Sequence, residues 1–392
     1  MQRDQRALSE LLAAVDSGTV DSLAPLVQAV MSRFEACEAS LYVSDYDGTV
    51  LMPAPGSSVV GTDPSPIEVE GTLPGRAYRT KELVEEHGPD SCLLWAPVIE
   101  RSEPLGVLKL EVSAVDDTMR RIARDAGVMV GHLLLTARGY TDAYELLRRR
   151  RDMSLAAEMH WDVLPARNFF DATASICGDI EPAYDVGGDA FDYSFNNGFL
   201  DVGIMDAMGH GLEAALLSTQ SVGAYRYARR RGAPLDEIAH TIDETLARQF
   251  GGDKFVTGFL ARLDTSSGRF EWVNAGHVPP LLLRSGRIDS YLESEPHCPM
   301  GIQYLEDVTV RETELSEGDC VMLYSDGVID SRTPDGEQFT LERLARVVEE
   351  HDLQEGPVGQ VVHKVIEEVT FHSGGPLRDD ATCLLVQYKG QS

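Results

Sequence analysis

The sequence predicts an α+β protein of two domains, the second of which has two β-sheets with helical layers outside them. Three observations favour this fold class. The chain has 392 residues, more than one hydrophobic core usually organises. After Pro165, short apolar strands follow one another quickly, and turn sequences at 265–268 and 285–286 indicate antiparallel neighbours. Helical patterns come in pairs between these strands, at about residues 212–249 and 340–371.

Charge and composition restrict the partners that we expect. The net charge is -30 and the sequence pI is near 4.6, so the surface repels phosphate backbones and anionic lipids. We expect neither a nucleic-acid nor a membrane partner, and we interpret the arginine run at 148–151 as a solvated helix face. The sequence has no apolar run of about 18 residues and no apolar leader after Met1. Its six cysteines include no CxxC pair, so we expect a cytoplasmic protein.

The first domain has strands flanked by helical patterns. The apolar spacing predicts helices and strands that suit an antiparallel sheet: helices at 4–15 and 21–35, and strands at 41–44, 50–51, 92–99 and 105–112. The order of helix, strand pair, variable loop at 71–84, strand pair and long final helix resembles a GAF domain. That resemblance implies a sensory or dimerising module over residues 1–138.

One motif in this domain suggests a different enzyme class. Asp45 to Thr49 reads DYDGT and resembles the DxDGT signature of haloacid-dehalogenase-type phosphatases, in which the first Asp is phosphorylated and the second, here Asp47, is the acid and base. The alternative is a plain β-turn. We favour the turn, because that family needs parallel βαβ units after the motif, and antiparallel-looking strands follow here.

A helical pattern runs from about residue 116 to 164, with an interruption at Gly139. It predicts a helical linker over residues 139–165. Such a linker either connects the domains or pairs with its twin in a homodimer, and we favour the dimer. His160 falls on its apolar side, where a packed histidine is the expected role.

Aspartates recur at strand ends in the second domain. Asp189 follows two glycines, Asp206 and Asp326 each end an apolar strand, and Asp379 and Asp380 open the last one. If these carboxylates meet, each unscreened pair about 5 Å apart costs roughly 3 kcal/mol at an effective dielectric near 20. Two divalent cations with a preference for oxygen ligands would offset this repulsion. The pattern therefore predicts a binuclear Mn²⁺ or Mg²⁺ site.

Five motifs in order carry a family resemblance. Together they resemble the SpoIIE/RsbU-type branch of the metal-dependent serine/threonine phosphatases (PPM, protein phosphatase 2C-like), over about residues 150–389. The motifs are VGGDAFDY at 186–193, MDAMGHGLEAAL at 205–216, NAGHVPPLLLR at 274–284, YSDGVIDSR at 324–332 and RDDATCLLV at 378–386. The resemblance implies an αββα sandwich over residues 166–392, with the metals in a cleft at one end of the sheets.

The resemblance also implies roles for individual residues. Asp206 should bridge both metals, and Ala207 should offer its backbone carbonyl. Asp326 and Asp379 should bind the other metal, and Asp189 should bind directly or through water. Relatives outside this branch place a histidine two residues after the bridging Asp; that position is Met208 here, which leaves His210 as the candidate general acid.

Two further assignments follow from the same resemblance. Arg167 is our candidate for the phosphate-binding arginine, which the motifs do not fix. Asn274, Gly276 and His277 match a family motif, for which we expect a structural turn.

The implied activity is hydrolysis of phosphoserine or phosphothreonine on a regulatory protein, namely a small STAS-domain anti-anti-sigma factor, under control of the first domain. Two cations would activate a water for in-line attack and neutralise charge on the phosphoryl oxygens. The alternatives are a catalytically silent phosphatase-fold regulator and the haloacid-dehalogenase-type phosphatase at Asp45 and Asp47. Because no metal carboxylate is substituted, we favour the active enzyme.

Overall fold

The computed structural model describes residues 23–34, 36–57, 64–185, 187–293, 297–303, 305, 308–350, 358–375 and 377–390. The chain divides into two compact units, Met1–Asp152 and Met153–Ser392. The helix predicted at 4–15 lies outside the described residues.

The first unit contains one antiparallel sheet, as predicted. Its strand order is β3-β2-β1-β6-β5-β4. Helix α1 (Leu23–Met31) and helix α3 (Asp117–Ala137) pack on one face of it. The strands are β1 (Ala36–Ser44), β2 (Val50–Pro53), β3 (Ile67–Glu68), β4 (Val84–His87), β5 (Cys92–Glu100) and β6 (Glu103–Val112). The likeness of this unit to a GAF domain stays a prediction.

Glycines bring α3 close to the sheet. A side-chain carbon on Gly127 would lie 2.2 Å from the carbonyl oxygen of Pro97, and one on Gly131 would lie 2.2 Å from that of Ile99. The helix begins at Asp116, whose carboxylate accepts the Met119 N–H at 2.7 Å. Every second residue of β5, from Cys92 to Val98, packs with buried residues of α3 in one apolar cluster, which is the core between this helix and the sheet.

The prediction of a loop at 71–84 was wrong. Helix α2 (Leu73–Thr80) and the start of β4 occupy it. The Thr72 side chain caps α2 by accepting the Gly75 N–H, and Pro74 lies in the first turn, where its missing N–H costs no helical hydrogen bond. Pro and Gly therefore mark the beginning of a helix here, although their presence suggested a loop.

The predicted linker at 139–165 is not one continuous helix. It contains α4 (Ala143–Leu147), which belongs to the first unit, and α5 (Leu155–Val163), which belongs to the second. The interpretation of residues 148–151 as a solvated face was also wrong in part. The Arg148 guanidinium lies 4.2 Å from the Tyr46 ring centroid, and its Nε donates to the Ser44 carbonyl at 3.2 Å. His160 is buried, as expected.

The second unit is a four-layer αββα sandwich, which confirms the predicted fold class. One sheet has the order β15-β12-β11-β10-β9 and the other β14-β13-β16-β17-β8-β7. The strands are β7 (Asn168–Phe170), β8 (Ala174–Glu181), β9 (Asp189–Asn196), β10 (Phe199–Ala207), β11 (Val256–Asp264), β12 (Arg269–Ala275), β13 (Leu281–Arg284), β14 (Arg287–Tyr291), β15 (Arg311–Glu314), β16 (Cys320–Tyr324) and β17 (Ala381–Tyr388).

Helices cover the outer face of each sheet. Helices α6 (Leu212–Arg230) and α7 (Leu235–Phe250) pack on the first, and α9 (Leu341–Glu349) and α10 (Val358–Ser373) on the second. A third apolar cluster fills the space between the sheets. Alternation along β17 shows why three layers of core form: Leu384 and Val386 join the cluster between the sheets, whereas Cys383 and Leu385 join the helical side.

The sequence analysis did not predict three elements of this unit. They are the edge strands β7 and β14 and the short helix α8 (Asp326–Asp330). β14 alternates between exposed and half-buried residues and pairs with β13 across the 285–286 turn, so its apolar signal is weak. Helix α8 starts at a predicted metal ligand, directly after β16 ends, and this turn of the chain sets the position of Asp326.

Candidate metal centre

Two of the predicted ligands lie opposite each other on neighbouring strands. Asp189 is the first residue of β9 and pairs with Asp206 near the end of β10. Asp206 is half-buried, and Asp189 is only 3% exposed. The chain can pass closely here because Gly188 has no side chain: a Cβ at that position would lie 2.5 Å from the Ala207 carbonyl oxygen. Asp189, Asp206 and the Ala207 carbonyl are thus grouped at one end of this sheet.

The other two predicted ligands come from the second sheet. Asp326 follows β16 and Asp379 precedes β17, and both are exposed. Gly327 packs directly on the backbone of the β17 segment, because a Cβ there would lie 2.0 Å from the Asp380 carbonyl oxygen. Ser325 completes the junction, since its Oγ donates to the Asp380 carbonyl at 3.1 Å and accepts the Thr382 N–H at 3.0 Å.

Asp380 is a further acid at this edge, which the sequence analysis named but to which it gave no role. Its carboxylate accepts the Gly187 N–H at 2.8 Å and the Asp189 N–H at 3.1 Å. It is buried, whereas its neighbour Asp379 is exposed. Asp380 therefore fixes the start of β9 against the start of β17 and joins the two sheets at the edge where the predicted ligands lie. The paired aspartates at 379–380 were the available signal.

The carboxylates are close enough to shift one another's pKa. Burial raises the pKa of Asp206 to about 7, with further contributions from Asp326, Asp379 and Asp380. Burial and the charges of Asp206 and Asp380 raise the pKa of Asp189 well above its usual range. Burial likewise raises the pKa of Asp380 to about 6; Asp326 is exposed as a residue, but partial desolvation of its carboxylate and the charge of Asp379 raise its pKa. These five acids form one electrostatic cluster, as the sequence analysis expected of four of them.

The donor set fits divalent cations. All its side-chain donors are carboxylate oxygens, which Mg²⁺ and Mn²⁺ prefer. The Oδ2 atom of Asp189 is buried and accepts no hydrogen bond from the described residues, an arrangement that is costly unless a further group binds it. No three of these acids present oxygens within 4.8 Å of one another. Oxygens bound to one Mg²⁺ ion lie within about 4.2 Å of one another, so three of these acids could share an ion only after their side chains move closer together.

Four further residues complete the comparison with the predictions. His210 and Met208 are exposed in the loop before α6. Arg167 forms an ion pair with Asp179, an acid outside the predicted ligand set, at 3.1 Å. His277 is buried in the turn after β12, where Asn274 holds its backbone N–H and carbonyl, and burial lowers its pKa to about 4. The structural turn expected for this motif is present.

The first unit contains no comparable arrangement at the DYDGT motif. Asp45 accepts the backbone N–H groups of Thr49 and Val50 at 2.9 and 3.1 Å, and strands β1 and β2 on either side of it are antiparallel. This is a β-turn without the parallel βαβ unit that a haloacid-dehalogenase-type site needs, so that alternative is wrong.

A possible metal-binding group of the first unit is already engaged. Glu85, His87 and Cys92 present ligand atoms within 4.8 Å of one another. However, both carboxylate oxygens of Glu85 accept hydrogen bonds from Arg120, at 2.6 and 3.2 Å.

Among the described residues, no helix is both long enough and apolar enough to cross a membrane.

Comparison with known proteins agrees with the geometry of the second unit. Residues 196–389 match the family model described as stage II sporulation protein E (SpoIIE). The phosphoserine phosphatase RsbU of Bacillus subtilis is 22% identical over 242 residues, which are 61% of this chain and 71% of that protein. The phosphoserine phosphatase RsbP of the same organism is 23% identical over 248 residues, which are 62% of this chain and 56% of that protein.

A solved structure shares the fold. The SiaA-PP2C domain of Pseudomonas aeruginosa aligns with a TM-score of 0.51 and 20% identity, over 60% of this chain and 94% of that domain. The family match includes Asp206, Asp326 and Asp379 but begins after Asp189, which the β9–β10 pairing places beside Asp206. The second unit of this chain therefore matches the SpoIIE family over residues 196–389 and has the fold of a PP2C-type phosphatase domain.

Proposed function

We propose that this protein is a metal-dependent phosphatase that hydrolyses phosphoserine or phosphothreonine on a regulatory protein. The observation that carries this proposal is the convergence of aspartates from two sheets on one edge, with an oxygen of Asp189 left buried and without a hydrogen-bond partner among the described residues. The relatives named as phosphoserine phosphatases support the same reaction class.

In this proposal the ligands divide between two Mn²⁺ or Mg²⁺ ions. Asp206 would be shared by both ions, the Ala207 carbonyl and Asp189 would hold one of them, and Asp326 and Asp379 would hold the other. When bound, the ions would supply an activated water and neutralise charge on the phosphoryl group. The protein's own contribution is to position the acids: the pairing of β9 with β10 fixes Asp189 against Asp206, and the hydrogen bonds to Asp380 fix Asp189 against the second sheet.

The leaving group needs a proton donor near this edge. His210 is exposed in the loop between β10 and α6, four residues beyond Asp206, where a bound substrate could contact it. Its role as general acid stays our proposal for the protonation of the leaving serine or threonine oxygen.

The substrate that we propose is a small STAS-domain anti-anti-sigma protein. With a net charge of -30, the protein does not attract a phosphoprotein at long range, so recognition depends on docking close to the site.

We further propose that the protein acts in the cytoplasm, that the first unit controls turnover and that residues 139–165 contribute to a homodimer.

An activity assay with matched variants tests the enzyme class. The full chain is incubated with an aryl phosphate and with a phosphoserine peptide, in Mn²⁺, Mg²⁺ or a chelator. We expect turnover only with metal. We expect Asp206→Asn to lower it by more than about 100-fold, because even the outer partners of metal ligands typically cost about 10 to 100-fold.

Asp47→Asn is the matched control, since it changes the acid of the DYDGT turn. It should leave turnover nearly intact. Loss of activity in Asp47→Asn with retention in Asp206→Asn would reverse the assignment. Metal-bound protein without turnover on either substrate would favour the catalytically silent regulator.

A further inference from the structure

His277 lies between the two sheets at the edge that carries the acids. It belongs to the turn after β12 and is 7% exposed. Its Nδ1 is 2.9 Å from the Thr257 hydroxyl on β11, and its Nε2 is 3.1 Å from the Tyr324 carbonyl at the end of β16. The ring therefore contacts one strand of each sheet.

The two contacts fix which ring nitrogen carries the hydrogen. A carbonyl oxygen only accepts hydrogen bonds, so Nε2 donates to Tyr324. In the neutral ring Nδ1 is then an acceptor, and the Thr257 hydroxyl donates to it. Both bonds have defined directions, and neither ring nitrogen remains available to bind a metal ion.

Each contacted residue adjoins a proposed ligand. Thr257 pairs directly with Asp206 in the β10–β11 ladder. Tyr324 is two residues before Asp326, and Ser325 between them is bonded to the segment that carries Asp380. The ring thus joins the strand beside the proposed bridging ligand to the strand that delivers the opposite ligand.

Asn274 holds this turn in place through two hydrogen bonds. The Asn274 amide donates to the His277 carbonyl at 2.9 Å, and the His277 N–H donates to Asn274 Oδ1 at 2.8 Å. Gly276 supplies the left-handed backbone that this turn needs, with φ at 74°. The position of the imidazole is therefore set independently of the acids.

We propose that His277 is a positioning residue that sets the separation between Asp206 and Asp326, and through it the spacing of the two cations. This inference rests on the proposed function, because it assigns His277 to the same site. Any buried histidine needs hydrogen-bond partners; what singles out His277 is that one partner, Thr257, pairs with Asp206 and the other, Tyr324, lies two residues before Asp326.

Mn²⁺ binding to the full chain tests the proposal without relying on turnover. Affinity is measured by titration calorimetry, and the magnetic coupling of two bound Mn²⁺ ions by electron paramagnetic resonance. The wild-type protein should bind a coupled pair. His277→Gln should weaken Mn²⁺ binding by up to about 10-fold, the lower end of the range for groups bonded directly to metal ligands, because His277 reaches Asp206 and Asp326 only through Thr257 and Tyr324, and it should change the coupling.

Two other variants separate positioning from stability. Thr257→Val keeps the ring and nearly the volume of the side chain but removes the hydroxyl, so it should reproduce the change in coupling even if His277→Gln folds poorly. His372→Gln is the matched control: His372 is also buried, and its ring nitrogens are 2.8 Å from Arg343 on α9 and 3.0 Å from the Glu337 carbonyl, neither of which lies on a strand that carries a proposed ligand. It should lower the unfolding temperature and leave Mn²⁺ binding unchanged.

The outcomes distinguish the two proposals. If the wild-type protein binds a coupled pair and the variants at 257 and 277 bind it with unchanged affinity and coupling, His277 has only a structural role and the inference is overturned. If the wild-type protein binds no pair of ions, the proposed function itself fails, and the inference fails with it.

Discussion

Asp45 in the first unit and Asp189 in the second are both buried aspartates at strand ends close to glycine, yet their surroundings differ. The Asp45 carboxylate accepts two backbone N–H groups and the Thr49 hydroxyl, and Arg150 lies 3.3 Å away. Asp189 lies among other acids, although the nearby Ser325 and Thr382 hydroxyls favour its charged form, and its Oδ2 accepts no hydrogen bond from the described residues. The first carboxylate is satisfied by its own turn, and the second keeps one oxygen without a partner among those residues.

The difference shows what separates a structural acid from a candidate ligand. A carboxylate that receives backbone N–H groups stabilises the turn that supplies them and has little reason to bind a cation. A carboxylate crowded by like charges raises the free energy of the folded protein until a cation binds. The DYDGT motif resembles a known catalytic signature, but the hydrogen bonds that Asp45 accepts, rather than the sequence of the motif, show that its role is structural.

The largest expected effect is stabilisation by metal. A cation that binds only the folded state stabilises it by about 2.7 kcal/mol at one hundred times its Kd. For a unit of this size we expect Mn²⁺ to raise the unfolding temperature by roughly 5 to 10 °C. Asp206→Asn should suppress most of that rise and should partly relieve the repulsion in the metal-free protein. Calorimetry on the full chain, with and without Mn²⁺, measures both effects.

Asp45→Asn is the control that makes this measurement a comparison of the two acids. It should lower the stability of the first unit and leave the Mn²⁺-induced rise in the second unchanged. An equal rise in wild type and Asp206→Asn would mean that Asp206 is not a ligand.

The sequence predicted which acids are grouped better than it predicted the residues that hold them in place. Asp206 and Asp326 were selected as candidate ligands because each follows an apolar strand and is close to glycine, a pattern that is visible in the local sequence. The role of Asp380 was missed because the pair at 379–380 does not show which acid turns inward; that depends on the Gly187 N–H, 193 residues away in the chain. The links of His277 to Thr257 and Tyr324 are likewise long-range, so no local pattern indicates them.

The second prediction concerns control by the first unit. The segment that leaves this unit is anchored to it, because Tyr144 is buried and Arg148 packs on Tyr46. A deletion of residues 1–152 removes these anchors together with the unit, whereas a deletion of 1–138 leaves Tyr144 and Arg148 without their partners. We expect the deletion of 1–152 to change turnover several-fold, equivalent to about 1 kcal/mol. Rates on one phosphoprotein that are equal for the full chain and both truncated forms would reject a regulatory first unit.

The smallest effect concerns Arg150, whose guanidinium is 43% exposed while Asp45 is 0% exposed. Exposed ion pairs typically contribute about 0.2 to 1 kcal/mol. Arg150→Gln should lower the free energy of unfolding of the first unit by about 1 kcal/mol, at the upper end of that range, because the buried carboxylate loses one neighbour but keeps the Thr49 and Val50 N–H groups. Urea denaturation measures the loss, and the Mn²⁺-induced rise in the unfolding temperature of the second unit should not change.

A loss above about 3 kcal/mol is what breaking a buried ion pair costs. That result would show that Arg150, rather than the N–H groups of the turn, stabilises the buried Asp45 carboxylate. The contrast drawn above between Asp45 and Asp189 would then be wrong.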